Sequence, residues 1–205
     1  MKNQLELTGS EKSMIENIRV KNIIDMGLAF SAMMRLFEEE KSKKKLNKKI
    51  FKNTLGEVFS AKSKKDFDCI HSRFCCWGIK KISLSEKRSD TQGSNRPSYG
   101  QIAKTFDVVM KVAIYYCRLP DCEKSKEILP WLNAAVDTNM MKMLRKCYPK
   151  DIEPWPRTIK GVVCKQTYED IQSTVRKFIR DKHNDSIMPV QFDDIYWKVL
   201  KELSK

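Results

Sequence analysis

The stretch Ser98 to Leu119, SYGQIAKTFDVVMKVAIYYCRL, decides the fold. Ile102, Ala103, Phe106, Val108, Val109, Met110, Val112, Ala113, Ile114 and Tyr115 put apolar side chains almost all round a 3.6-residue period. That pattern belongs to a helix buried inside a bundle. Its polar residues Lys104, Asp107, Lys111 and Arg118 recur at intervals of three, four and seven. They therefore share one stripe, with Asp107 within reach of a cation a turn away on either side. Ser98 is the expected N-cap.

Outward from this helix, the flanking segments also read as helices. Thr8 to Glu11 has the capping-box form, and Met14, Ile15, Ile18, Ile23, Ile24, Leu28, Met33, Met34 and Phe37 keep helical spacing up to Glu38. One long helix is expected there, eased at Gly27, with Glu38 to Glu40 near its end and a continuation into the lysine run that follows. A short basic helix is expected over residues 46–59, and a further one carries Phe67, Ile70, Phe74, Cys75, Trp77 and Ile79. Residues 83–97, rich in Ser with Gly93, Asn95 and Pro97, form a surface loop. Asp137 caps a helix bearing Met140, Met141, Leu144 and Cys147, and Thr167 to Asp170 starts another that runs to about Lys182. A last helix runs from Asp193 to Leu203, with Asp193 and Asp194 suited to its N-terminal dipole. The expected fold is all-α: one domain over residues 1–205, a bundle of about six or seven helices around the buried helix 98–119.

Charge is the second organising feature. The 205 residues carry 40 Lys+Arg against 26 Asp+Glu, net +14. The excess is regional, since residues 41–96 hold sixteen basic and five acidic residues, net +11, while residues 1–40 are net −2. KSKKKLNKKIFK, residues 41–52, has seven lysines and no acid. Such a region calls for a polyanion or an acidic partner; the plain alternative is a solvated face.

The expected function is therefore non-catalytic nucleic-acid binding, or service as a basic subunit of a nucleoprotein complex. Phosphates would be held by Lys43, Lys44, Lys45, Lys48, Lys49, Lys52, Lys64, Lys65, Arg73, Lys80, Lys81, Arg88 and Arg96. Lysine outnumbers arginine among them, which favours sequence-independent phosphate contact over base reading. Trp77 reads as a core residue, with stacking on a base as its second possible role. Two other classes remain open. One is an enzyme acting on nucleic acid, of the nuclease or glycosylase/lyase kind, built on Lys104, Asp107 and Arg73. The other is a helical protein that meets an acidic protein partner.

Several chemistries are disfavoured. Serine-nucleophile, P-loop, dinucleotide and HExxH motifs are absent, and His71 and His183 are the only histidines. Cys69, His71, Cys75 and Cys76 lack the spacing of the usual zinc sites, so no cofactor or metal is expected and the cysteines read as small hydrophobes. Seven cysteines, an odd number, argue against a disulfide framework and for a reducing compartment, the cytoplasm or a nucleus. No eighteen-residue window is free of charges, so no membrane span is expected.

Overall fold

The computed structural model describes residues 7–37, 39–85 and 95–196. Eight α-helices fall among the described residues, with no strand. In order they are α1 (Gly9–Phe30), α2 (Glu39–Lys49), α3 (Leu55–Ser60), α4 (Lys64–Lys81), α5 (Tyr99–Met110), α6 (Cys122–Ile128), α7 (Thr138–Cys147) and α8 (Lys165–His183). The all-α expectation holds, and the helix at the centre is the one expected. Ile102, Ala103, Phe106 and Val109 of α5 are fully buried, with α1 packed on one flank and α4 on another.

The start of α5 is fixed by chemistry local to the chain. Ser98 Oγ accepts from the Gln101 N–H, and Gln101 returns the bond to the Ser98 N–H at 2.8 Å, a complete capping box. Past Met110 the rod widens into a π-helical turn, Lys111–Tyr116, in which Lys111 to Ile114 remain buried.

Close approach of α4 to α5 depends on Gly78. A β-carbon there would lie 2.5 Å from Ile102 Cγ2, so only glycine lets the two rods meet at this spacing. Gly27 plays the same part between α1 and α5, where a β-carbon would stand 3.0 Å from the Val109 backbone. That corrects the reading of Gly27 as the weak point of the first helix: the chain breaks instead at Ser31, whose extended backbone turns the N–H back onto Gly27 and Leu28.

The lysine run also differs from expectation. Glu39 and Glu40 open α2 rather than close α1, and Lys48 and Lys49 fill its last turn. Acids at the N-terminus and lysines at the C-terminus are the arrangement the helix dipole favours. The expected short basic helix over 46–59 is the latter part of one rod, in which α2 passes through a π-helical turn at Ile50–Thr54 into α3. Helix α8 begins at Lys165, two residues before the expected Thr167, and ends at a left-handed Asn184. The ends of the 83–97 loop are tied down: Leu84 is buried, its N–H donates to the Asn95 carbonyl, and the Ser85 N–H donates to Leu36. Its middle, with Arg88, lies outside the described residues, as does the last helix beyond residue 196.

Candidate nucleic-acid interface and a buried polar network

The C-terminal half of α2 lies beside the C-terminal end of α4. Lys45 Nζ donates to the Lys81 carbonyl at 3.1 Å, capping an orphan acceptor of the last turn of α4 and stitching the rods together. Between them runs a groove of about 330 Å³, lined by Lys45, Lys48, Lys49, Lys52, Lys81 and Trp77, with Asn53 at one side. No carboxylate is among these lining residues. Trp77 is half-buried, packing on the Phe74 ring at 5.6 Å while contributing to the groove wall. Both roles read from the sequence are thus open to one side chain.

The other expected contact residues are dispersed. Lys43 lines a separate hollow with Arg35 and Phe37, and Lys44 pairs with Glu40 at 3.7 Å in solvent. Lys80 and Arg96 are exposed. Lys64 and Lys65 open α4, 16 residues from Lys80 and Lys81. Arg73 is held by Glu57 at 3.0 Å over a different cleft, so its charge is answered within the protein. Arg88 is not among the described residues.

The residues read as an alternative catalytic set do not converge. Asp107 is buried, and it reaches across to α4 and α8 instead of pairing along its own helix. Tyr168 donates to Asp107 Oδ2 at 2.8 Å, and His71 Nε2 lies 3.5 Å from Oδ1. His71 stacks on Tyr168 with ring centres 4.8 Å apart and meets the edge of Phe106 at 4.9 Å. Burial works against the charged imidazole, but the Cys75 sulfur, 3.8 Å from Nδ1, and the Asp107 carboxylate carry His71 up to about 10. Burial raises Asp107 as well, because His71 and Tyr168 offset the lost solvation only in part. Tyr168 is pushed up by burial and by Asp107. The result is a charged His–Asp pair with a neutral phenol, buried between α4, α5 and α8.

Lys111 goes to a third place. It is buried, and its ammonium lies 2.9 Å from Asp193 and 2.6 Å from Asp194, with Tyr116 also donating to Asp194 at 2.8 Å. Desolvation would lower it, but the two carboxylates hold it above the ordinary lysine value. Asp193 and Asp194, read as dipole partners of the last helix, are thus also the counter-ions of Lys111. Lys104 is half-buried, and burial lowers it against the pull of Asp137, Asp193 and Asp107.

The cysteine–histidine cluster divides in the same way. Cys69 and Cys76 are exposed, while His71 and Cys75 face the core. Among the described residues no three His, Cys, Asp or Glu side chains are placed to hold a metal. No helix among them is long and apolar enough to cross a membrane. Comparison with models of known protein families, with curated proteins and with solved structures returns no match.

Proposed function

We propose that this protein binds nucleic acid without sequence preference, gripping backbone phosphates with the α2 and α4 lysines while an unpaired base rests against Trp77. The observation that carries the reading is the groove itself: five lysines and Trp77, with no acid among the described residues that line it. Arg73 and Lys111, by contrast, have carboxylates beside them. Five like charges gathered with no acid among the described lining residues repel one another, and a polyanion relieves that repulsion while releasing its own counter-ions. Lysines on flexible stems suit phosphates as point charges, and one aromatic face suits any base. The odd cysteine number supports work in a reducing compartment, the cytoplasm or a nucleus.

The test is binding of labelled single- and double-stranded DNA and RNA of mixed sequence to the native chain and to a Lys45→Gln, Lys48→Gln, Lys49→Gln, Lys52→Gln variant. Binding by the native chain and its loss in the variant are expected, with Trp77→Leu weakening single-strand binding by about fivefold to 150-fold, a stacking energy of about 1–3 kcal/mol per base. Equal binding by native and quadruple variant would refute the groove. Absence of nucleic-acid binding together with capture of poly-glutamate would move the face to an acidic protein partner.

A further inference from the structure

On the opposite side of α4 from Trp77, a separate cavity of about 260 Å³ opens between α4, α8 and the segment after α6. Lys64, Asp68, His71, Asn133, Tyr168 and Arg176 are among the side chains that line it. Its volume has room for on the order of eight waters at about 30 Å³ each, the scale of a small organic acid.

The charges around it can be paired one by one. Lys64 forms an ion pair with Asp68. Glu169, on the rim, pairs with Lys165 at 3.4 Å, and His71 pairs with Asp107. Arg176 is left. Its Nη2 donates to the Leu132 carbonyl and to Asn133 Oδ1, each at a long 3.3 Å, and no carboxylate lies within ion-pair distance of it among the described residues. Asp68 attracts it only from further off, and burial lowers it. A guanidinium has five donors in a planar fork, and here neither Nε nor Nη1 has a hydrogen-bond partner among the described residues. Arg176 is half-buried and these nitrogens are not among the polar atoms shut off from solvent, so the cavity offers a ligand an accessible cation with open donors.

We infer that this cavity binds a small organic acid through its single carboxylate, with Arg176 as the anchoring residue and Asn133 and Tyr168 beside it. The one surplus positive charge matches a monoanion. A phosphate monoester carries about −1.5 to −2 charges and would stand partly uncompensated near Asp68 and Glu169. A carboxylate also accepts a charge-assisted bond from the donors left open, Nε or Nη1, without displacing the Nη2 contacts to Leu132 and Asn133. This site is independent of the lysine groove, and its failure would leave the nucleic-acid reading untouched.

The test adds lactate, pyruvate or benzoate to the full chain at millimolar concentration, with inorganic phosphate and a short oligonucleotide as comparison ligands, and follows the Arg176 Nε–H and Tyr168 ring resonances by NMR. At least one monocarboxylate is expected to shift both signals, and Arg176→Lys to weaken its binding about tenfold to a hundredfold, as loss of a charge-assisted hydrogen bond does. The native chain supplies the decisive readout even where a variant fails to fold. Signals unmoved by all three acids, a response to phosphate or the oligonucleotide alone, or unchanged affinity in Arg176→Lys would each overturn the inference.

Discussion

Helix α4 shows two treatments of positive charge. At its C-terminal end, Lys81 and Trp77 join Lys45, Lys48, Lys49 and Lys52 of the neighbouring rod around a groove with no acid among its described lining residues. On its buried side, a few turns earlier, His71 is enclosed with Asp107, Tyr168 and Cys75. A cation inside the core must bring its counter-ion with it, because the medium cannot solvate it. A cation left at the surface without one is free to take a counter-ion from outside. The difference separates charges that fix the fold from charges open to a ligand, and it places Arg176, half-buried and without a carboxylate, between the two.

The buried side is where perturbation has the largest effect. Asp107→Ala leaves an imidazolium without its partner and is expected to cost about 3–5 kcal/mol in denaturant unfolding. A loss below about 1 kcal/mol would mean that His71 is neutral and the pair is not charged. The pH dependence sharpens the same point. His71 is raised from 6.5 to about 10 on folding, so its contribution is fully present below about pH 6.5 and is lost as pH rises towards 10. Stability should fall across that window, and His71→Gln should remove most of the slope.

Smaller effects probe the frame that holds both regions. Gly78→Ala forces a β-carbon to 2.5 Å from Ile102 Cγ2 and is expected to cost about 1–3 kcal/mol by overpacking the α4–α5 contact. Ser98→Ala removes the cap of α5 for about 1 kcal/mol. Either measured by chemical denaturation at no cost would contradict the packing described.

What the sequence discloses follows the range of the interactions. Residues 98–119 could be read as the central helix because burial all round leaves a signature in one continuous segment, and the Ser98 and Asp137 caps were legible for the same reason. The lysine cluster was legible as composition, but which lysines face one groove depends on how α2 lies against α4. The partners of Asp107 were hidden because 71, 107 and 168 lie on three different helices, so helical spacing offered Lys104 and Lys111 instead. Arg176 carried no local signal at all: its isolation appears only when every neighbouring acid has been given its own partner. The start of α2 is hidden because apolar spacing continues through Met33, Met34 and Phe37 past the break at Ser31. The acids that follow therefore read as the end of α1, while the dipole favours Glu39 and Glu40 at the start of the next helix.

The central claim rests on the groove, and the salt dependence of single-strand binding tests it most directly. Five phosphate-contacting lysines predict that log affinity falls against log salt with a slope of about −3.5. The Lys45→Gln, Lys48→Gln, Lys49→Gln, Lys52→Gln variant should flatten it by about 3. A native slope near zero, or the same steep slope in both proteins, would contradict the account.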